Sequence, residues 1–288
     1  MILIADAGST KVDWCAIGPD GSPRMFTSEG INALMLNEDE LHTRISTALS
    51  GIGHIPRSIY YYGAGCVDSG VIDKVRRAFR SSMTELGTEP EMVEVNSDLL
   101  GAARALCGHK PGLVAILGTG SNTCYYDGQK VADHIPSLGF ILGDEGSGSA
   151  IGKRVINAAY KRLIPDSVRK ELETFTGMTY GQIVRHVYRS HGINTWLASL
   201  VPFIRKQIPV HPEVRGIVAD EFRLFFKRNI KPYGQLAASV PIHFTGGVAA
   251  AFSDVLSQTA AMLGFTNMGM IEAKPMDGLI RFHTSSLK

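Results

Sequence analysis

The sequence predicts an α/β protein made of two related domains, and three observations lead to this prediction. Short apolar strands are mixed with amphipathic helices along most of the chain, a rhythm typical of α/β layers. A strand, a glycine-rich turn and a second strand occur near the start and again roughly 110 residues later. The 288 residues, of which 44% are hydrophobic, are enough for one large or two medium domains with their own cores.

Composition excludes several classes of protein. The formal net charge is only +2, which argues against a nucleic-acid partner. The four cysteines show no CxxC or zinc-type spacing and suit a reducing cytosol. The first residues lack a basic segment and the longest apolar runs are about five residues, against the roughly 20 of a membrane span. We therefore expect a cytoplasmic protein without a membrane partner.

The first strand-turn-strand unit opens the chain. An apolar run over residues 2–6 ends in Gly8-Ser9-Thr10-Lys11, and an alternating strand then continues to a Pro19-Asp20-Gly21 turn. The same order of elements occurs again later in the chain. It consists of an apolar run over residues 113–117, the turn Gly118-Thr119-Gly120 and a strand that ends at Asp127-Gly128. Two copies at this spacing predict a duplicated domain, with a boundary near residue 108.

Between the two copies the pattern predicts helices and one further strand. Asn37 is a candidate N-cap, and two helical faces follow, formed by Leu41, Ile45, Ala48 and Leu49 and by Val71, Val75, Phe79, Met83 and Leu86. A strand over residues 92–95 then leads into a short helix over residues 99–106.

The second half is predicted to be mostly helical. We expect helices near residues 148–163, 180–190, 195–207 and 213–230. A buried strand over residues 240–244, the turn Thr245-Gly246-Gly247 and one long helix over residues 248–263 follow. Phe222, Phe225 and Phe226 lie at helical spacing and are expected in a core or a subunit contact.

The glycine turns indicate a ligand. The 31 glycines are about 11% of the chain, against an average of roughly 7%. Asp6 ends a strand before a turn whose amides, hydroxyls and one ammonium could surround a phosphate chain, while the carboxylate could hold its Mg²⁺. A plain hairpin turn is the alternative, because the Walker pattern is absent and the turn leads into a strand. Gly118-Thr119-Gly120 likewise fails the dinucleotide pattern, since residue 123 is threonine.

Two acidic positions each allow two interpretations. Asp144 and Glu145 precede a helix, where one of them could cap free amides or bind hydroxyls of a polar substrate. Asp98 follows the strand over residues 92–95, where it could cap the next helix or act as a general base. Position alone favours the cap at Asp98.

The ordered set of motifs resembles a known family. Asp6-x-Gly8-Ser9-Thr10-Lys11, Gly118-Thr119-Gly120-Ser121-Asn122, Gly143-Asp144-Glu145-Gly146-Ser147 and Thr245-Gly246-Gly247 are similar to the phosphate-1, phosphate-2, sugar and adenosine motifs of the N-acetylglucosamine kinase branch of the sugar kinase/Hsp70/actin superfamily, grouped with the BadF/BadG/BcrA/BcrD ATPases. The resemblance covers residues 2–282. It implies two ribonuclease H-like (actin-like ATPase) domains with a cleft between them, the second larger and richer in helix.

The resemblance also implies roles for individual residues. Asp98 would be the general base and Asp6 would stand near Mg²⁺. The ATP-binding residues would be Gly8, Ser9, Thr10, Lys11, Thr119, Gly120, Gly246 and Gly247. The sugar-binding residues would be Asn32, Asp98, Ser121, Asn122 and Asp144. Alanine at Gly8, Gly120 or Gly246 would then lower ATP affinity more than fold stability.

The expected function is ATP- and Mg²⁺-dependent phosphorylation of an amino sugar, with N-acetylglucosamine 6-phosphorylation as the leading hypothesis. Another hexosamine remains open, because Ser137-Leu138 stands where animal relatives carry Gly-Trp. The alternatives are an ATP-driven activator of a dehydratase or reductase and an ATP-binding sugar sensor; the zinc motif of the ROK sugar kinases is missing. Relatives lead us to expect a homodimer. The expected domains are 1–108 with 274–288, where the terminal segment resembles a family helix, and 109–273.

Overall fold

The structure, a computed structural model, describes residues 1–52 and 56–285. These residues form two compact units, one comprising Met1–His109 and the described residues from Pro275 onward, and the other comprising Lys110–Lys274. We call them unit 1 and unit 2. The predicted fold class is confirmed, since each unit contains one five-stranded mixed sheet with helices, and unit 2 is the larger and more helical.

The strands of unit 1 are β1 (Ile2–Ala7), β2 (Lys11–Ile17), β3 (Pro23–Glu29), β4 (Ser58–Gly63) and β5 (Met92–Ser97). Their spatial order is β3-β2-β1-β4-β5, with antiparallel pairing through β3, β2 and β1 and parallel pairing through β1, β4 and β5. The helices are α1 (Glu38–Ser50), α2 (Ser69–Glu85) and α3 (Asp98–Cys107), with α14 (Met276–Thr284) at the end of the chain.

Two apolar clusters cover the two faces of this sheet. One cluster includes the buried residues of α1 and α2, and the other includes Met276 and Leu279 of α14. The predicted α1 face is buried and Asn37 caps the helix with a full capping box. On α2 the prediction is wrong for Leu86, which is 41% exposed because it lies just past the last helical turn. The expected terminal helix is present as α14.

The strands of unit 2 are β6 (Gly112–Leu117), β7 (Ser121–Tyr126), β8 (Val131–Ile135), β9 (Ile242–Thr245) and β10 (Met268–Glu272). Their order is β10-β9-β6-β7-β8, and the strand directions repeat those of unit 1. The intervening helices are α4 (Gly139–Leu142), α5 (Gly148–Tyr160), α6 (Asp166–Thr176), α7 (Tyr180–Arg189), α8 (Ile193–Ala198), α9 (Val201–Gln207), α10 (Pro212–Phe225), α11 (Leu236–Ser239), α12 (Gly247–Ala251) and α13 (Ser253–Met262).

Three of the predicted long helices are interrupted. The helix expected over residues 195–207 is divided into α8 and α9, and Pro202 at the start of α9 lacks the N–H needed to continue a helix. The helix expected over residues 213–230 is α10 followed by a π-helix, Phe226–Ile230. The helix expected over residues 248–263 breaks at the fully buried Phe252, which leaves α12 and α13. Phe222, Phe225 and Phe226 are in the core of unit 2.

Among the helices of residues 1–52 and 56–285, none has the length and apolar content that a membrane crossing requires.

Candidate active site

The first hairpin turn of unit 1 has a fixed backbone and exposed side chains. The Gly8 N–H donates to the Lys11 carbonyl at 3.0 Å, and the Gly8 carbonyl accepts from the Ile31 N–H at 3.0 Å. Ser9, Thr10 and Lys11 are exposed. Hydroxyls and an ammonium group on a rigid turn can contact phosphate oxygens without first being ordered. This turn brings together four of the expected ATP-binding residues.

Acidic side chains lie on the two strands that this turn joins. Asp6 of β1 is paired with Asp13 of β2, and the Lys11 ammonium lies 3.0 Å from a carboxylate oxygen of Asp13. Asp13 lies in the hairpin and is buried. Carboxylate oxygens suit Mg²⁺, which is commonly held by one or two carboxylates together with waters and substrate phosphates. Asp6 therefore fits the donor chemistry of a nucleotide-associated magnesium ion.

Asp98 is the first residue of α3, at the carboxyl end of β5. Ser97 is the N-cap, since its hydroxyl accepts from the Leu100 N–H at 3.2 Å. The Asp98 carboxylate accepts instead from the adjacent Leu99 N–H at 2.8 Å. The alternative that Asp98 caps this helix is therefore wrong, because the preceding serine already does so. Desolvation by burial raises the pKa of Asp98, while the hydrogen bond from Leu99 acts in the opposite direction.

Asn32 lies beside the first turn. Its side-chain N–H donates to the Ser9 hydroxyl at 3.1 Å, and its side-chain oxygen accepts from the Leu34 N–H at 3.2 Å. Gly65 approaches so closely that a Cβ there would lie 2.3 Å from the same side-chain oxygen, and its φ is +82°. Sequence reasoning missed Gly65, although a glycine two residues beyond a strand end is a signal for close backbone approach.

The second turn, in unit 2, is held by the start of α5. The Gly118 N–H donates to the Gly120 carbonyl at 2.9 Å. The Gly148 and Ser149 N–H groups donate to the carbonyls of Gly118 and Thr119 at 2.8 and 3.2 Å. Otherwise unpaired amides of the first helical turn therefore fix this loop, and a Cβ at Gly118 would meet no atom within 4 Å. The backbone at Gly118 is thus open to close approach by a ligand.

Asp144 connects this turn to the predicted sugar segment. Its side chain is buried and accepts from the Ser121 N–H at 3.1 Å, while its own N–H donates to the Ser137 carbonyl at 3.0 Å. A φ of +56° places this non-glycine residue in the left-handed region, a strained conformation that clusters at functional sites. Desolvation by burial raises the pKa of Asp144.

Neither acid of this segment caps α5. The N-cap is Ser147, whose hydroxyl accepts from the Ala150 N–H at 3.2 Å. Glu145 instead accepts from Arg228 at 2.6 Å and from Asn229 at 3.2 Å. The capping interpretation of these two acids is therefore wrong.

Residues of α10 and the π-helix support this segment from behind, and sequence reasoning missed them. Arg228 and Asn229 belong to the π-helix Phe226–Ile230, a rare conformation often found at functional sites. Buried Glu221 accepts from the Gly146 N–H at 3.3 Å and from Arg154 at 3.1 Å. An acidic residue between the apolar positions of α10 was the only local signal for this support.

Asn122 presents its amide nitrogen in a defined direction. Its side-chain oxygen accepts from the Thr123 backbone N–H at 3.0 Å, which identifies that atom as the oxygen. Nε2 of His134 lies 2.9 Å from the same oxygen and must therefore carry the proton. His134, on β8, was not predicted, because a contact across a hairpin leaves no local motif. The Asn122 NH₂ group is consequently directed as a hydrogen-bond donor.

The third glycine turn, at the carboxyl end of β9, contains two glycines in different environments. The Gly246 N–H donates to the Glu272 carbonyl at 3.0 Å. With φ at +111°, a Cβ on Gly246 would lie only 2.3 Å from the Leu117 carbonyl oxygen. A Cβ on Gly247 would meet no atom within 4 Å. Protein packing therefore explains the first glycine, whereas the second leaves space beside the chain.

Each unit gathers its expected residues at one edge of its sheet. In unit 1, Ala7, Gly63 and Ser97 are aligned in register across β1, β4 and β5, so the Asp6–Lys11 turn and Asp98 emerge at the same edge. In unit 2, the carboxyl ends of β6 and β9 bear the turns at 118–120 and 246–247. Carboxyl ends of neighbouring parallel strands are the usual place for ligands in α/β sheets.

Three solved structures are similar in fold to this chain. A proposed N-acetylglucosamine kinase from Porphyromonas gingivalis is similar over 100% of both chains, with 36% identity and a TM-score of 0.93. A second proposed N-acetylglucosamine kinase, from Chromobacterium violaceum, shares 16% identity over 98% of each chain with a TM-score of 0.75. A ROK family glucokinase from Streptomyces griseus, solved with glucose and AMPPNP, shares the fold at 15% identity, 98% and 97% coverage and a TM-score of 0.57.

No protein-family model and no curated sequence matches the chain. The full-length similarity at 36% identity is nevertheless sufficient to establish kinship, and the ordered glycine turns agree with it. The chain therefore belongs to the N-acetylglucosamine kinase-like branch of the sugar kinase/Hsp70/actin superfamily.

Proposed function

We propose that this protein transfers the γ-phosphoryl group of ATP to an amino sugar, and that the acceptor is the 6-hydroxyl of N-acetylglucosamine. The observation that carries this proposal is Asp98, a carboxylate at the end of a parallel strand that is not used as the helix cap. The relative at 36% identity is described as a proposed N-acetylglucosamine kinase, which supports the same substrate.

The reaction needs little from the protein beyond positioning and charge. The sugar hydroxyl oxygen attacks the γ-phosphorus in line, the bond from that phosphorus to the bridging oxygen of ADP breaks, and the hydroxyl proton passes to Asp98. The raised pKa of Asp98 favours this proton acceptance, provided that the carboxylate is still ionised at the working pH. After transfer, the proton leaves Asp98 to solvent.

We assign a phosphate-contact role to one turn in each unit. In unit 1, Ser9, Thr10 and Lys11 would contact the β- and γ-phosphates. In unit 2, Thr119 and Gly120 would contact phosphate oxygens. The Lys11 ammonium adds positive charge near the phosphates, and it also forms an ion pair with Asp13. Mg²⁺, when bound near Asp6, would neutralise part of the phosphate charge. Gly247 has the open backbone that close approach by the ribose or adenine requires, with Gly246 shaping the turn.

The sugar would be recognised by directed amides and one buried acid. The carboxylate of Asp144 can accept from sugar hydroxyls, and the side chains of Asn32, Ser121 and Asn122 supply further polar groups. The Asn122 NH₂ group, oriented by His134, can donate to an acceptor oxygen such as an acetamido carbonyl. This donor supports an N-acetylated sugar over a plain hexose.

An ADP-release assay tests the proposal. N-acetylglucosamine, glucosamine, N-acetylmannosamine, N-acetylmuramic acid and glucose would be compared at equal concentrations with Mg²⁺ and ATP. We expect the highest kcat/KM with N-acetylglucosamine, and mass spectrometry or NMR of the product should place the phosphate on the 6-oxygen. A higher kcat/KM with another hexosamine would overturn N-acetylglucosamine as the substrate. ADP release with none of the five sugars would contradict the proposed phosphorylation of an amino sugar.

A further inference from the structure

Tyr61, in β4 of unit 1, carries a buried hydroxyl group that none of the predicted roles uses. The side chain is 0% exposed, and its hydroxyl has no hydrogen-bond partner among the described residues. The ring packs edge-on against Phe79 with the centroids 5.5 Å apart. Phenylalanine would make the same apolar contacts without leaving a polar group unsatisfied in the interior. The hydroxyl is therefore a feature that packing does not explain.

The phenol reaches the sheet edge that carries Asp6 and Asp98. The Tyr61 hydroxyl oxygen lies 2.8 Å from where a Cβ of Gly63 would stand, so the absence of a side chain at Gly63 makes room for the end of the ring. Gly63 is paired with Ala7 on one side and with Ser97 on the other. These two neighbours are adjacent in sequence to Asp6 and Asp98.

The charges near Tyr61 agree with this placement. Burial raises the pKa of Tyr61 well above its ordinary value, and the nearby groups of Cys66, Asp98 and Asp6 raise it further. Burial also raises the pKa of the Cys66 thiol to about 12, so that thiol stays neutral over the pH range of an assay. The positive charge of Lys74, on α2, partly opposes this effect by lowering the pKa of Cys66. The Lys74 ammonium donates to the Leu36 carbonyl at 2.8 Å.

We propose that Tyr61 is a positioning residue for the candidate base, and that its hydroxyl donates through one bridging water to the carboxylate of Asp98. The inference rests on the proposed function, because it assigns a support to the base of that reaction. A water that bridges two buried polar groups is nearly as favourable as a direct hydrogen bond. The bridge satisfies the phenol and fixes the carboxylate on the side away from the Leu99 N–H.

Such a bridge has two measurable consequences. A donor directed at a carboxylate stabilises its ionised form, so the Tyr61 hydroxyl lowers the pKa of Asp98 relative to a protein without it. It also restrains the base in the orientation that proton acceptance requires, which affects turnover more than substrate binding. A hydroxyl with a purely structural role would change neither quantity.

The test compares Tyr61→Phe with the matched variant Tyr60→Phe. Tyr60 is the preceding residue of the same strand, on the opposite face, where it stacks on His283 with ring centroids 3.8 Å apart. The carboxyl signal of Asp98 would be assigned by its loss in Asp98→Asn and titrated by ¹³C NMR in all forms. The pH profiles of kcat and of both KM values would be measured alongside thermal unfolding.

For Tyr61→Phe we expect a higher pKa at Asp98, an acidic limb of the kcat profile moved to higher pH, and a kcat lower by roughly 3- to 10-fold with both KM values nearly unchanged. The melting temperature should stay close to that of the wild type, because the ring keeps its apolar contacts and only one water-mediated hydrogen bond is lost. Tyr60→Phe should leave the Asp98 titration and kcat as in the wild type.

An unchanged Asp98 titration and pH profile in Tyr61→Phe would overturn the inference, as would a lower melting temperature without any shift at Asp98. The NMR titration does not depend on turnover, so it separates this inference from the proposed function. If the pKa of Asp98 shifts in Tyr61→Phe but the protein phosphorylates no sugar, the contact between Tyr61 and Asp98 is supported and only the proposed reaction is rejected.

Discussion

The two units contain sheets of the same topology, but their first hairpin turns differ. In unit 1 the turn after β1 exposes Ser9, Thr10 and Lys11, and its backbone is held mainly by its own hairpin and the segment after β3. In unit 2 the turn after β6 is held by the α5 amides, and the next residue, Ser121, donates to Asp144. The same topology thus supports an open turn in one unit and a cross-linked one in the other.

From this difference we predict a division of tasks between the units. Unit 1 presents exposed polar side chains and the candidate base, which suits the reacting phosphate and proton. Unit 2 arranges buried acids, oriented amides and a π-helix around one segment, which suits discrimination among sugars. Substitution of Asp98 in unit 1 should therefore reduce kcat, whereas substitutions in the Asp144 segment of unit 2 should raise the KM for the sugar.

The largest effect is expected for Asp98→Asn in unit 1. Loss of the proton acceptor should lower kcat by about 10²- to 10⁴-fold, with ATP affinity largely kept. Stopped or coupled ADP-release kinetics and an ATP-binding titration check both parts. The matched control is Ser97→Ala, which removes the helix cap at a cost of about 1 kcal/mol of stability but leaves the base in place. Near-normal turnover of Asp98→Asn would show that Asp98 is not the general base.

A paired substitution in the β9–α12 turn separates fold from binding. Gly246→Ala should lose about 1–3 kcal/mol or more of unfolding free energy, since it combines a left-handed φ with a Cβ only 2.3 Å from the Leu117 carbonyl. We therefore expect alanine at Gly246 to lower stability as well as ATP affinity. Gly247→Ala should change stability by less than about 0.5 kcal/mol while raising the KM for ATP.

Thermal unfolding and ATP kinetics of the two variants check this contrast. An unchanged KM for ATP in a stable Gly247→Ala protein would show that the nucleotide does not approach that backbone.

The contrast between Gly246 and Gly247 shows where sequence reasoning ends. Glycine-rich turns at strand ends are local patterns, so their positions and the two hairpins were predictable. The reason for each glycine depends on a carbonyl of another strand or on open space, which a single sequence does not contain. The duplicated strand-turn-strand pattern predicted the shared topology for the same local reason.

Long-range polar contacts were not predictable. Glu145 accepts a hydrogen bond from Arg228, which lies 83 positions later in the sequence. The π-helix that contains Arg228 has no sequence signature. The breaks in the predicted helices likewise depend on tertiary packing, as at Phe252, whose burial outweighs the apolar periodicity of the surrounding residues. Ser97 could have been preferred over Asp98 as the cap, because serine is as good a cap and precedes the helix by one residue.

The next effect is expected at Asp144 in unit 2. Asp144→Asn should raise the KM for the sugar by about 10- to 100-fold, since a charged hydrogen bond contributes about 1.5–3 kcal/mol, while the KM for ATP stays nearly constant. The asparagine oxygen can still accept from the Ser121 N–H. Stability should not fall, because the buried carboxylate must be ionised at neutral pH against its desolvation.

The sign of the pH dependence follows from the raised pKa of Asp144. The unfolded chain ionises this group at lower pH than the folded protein does, so wild-type stability should decrease as pH rises from the ordinary aspartate pKa toward the folded value. Asp144→Asn should lack this decrease when melting temperatures are measured against pH. A variant with a normal sugar KM, or one that keeps the full decrease, would contradict the role given to Asp144.

The smallest effect tests whether unit 2 also orients a neutral group. His134→Leu removes the exposed hydrogen bond to Asn122, and a net value of about 0.5–1.5 kcal/mol predicts a KM for N-acetylglucosamine that rises by about 2- to 10-fold, with kcat unchanged. His134→Gln can restore a donor and should recover most of the loss. Because the Asn122 NH₂ group is proposed to meet an acetamido carbonyl, the same variants should affect glucosamine and glucose less. An equal rise in KM for all three sugars would instead indicate that Asn122 contacts a hydroxyl common to them. An unchanged KM for every sugar would show that His134 has no role in sugar recognition.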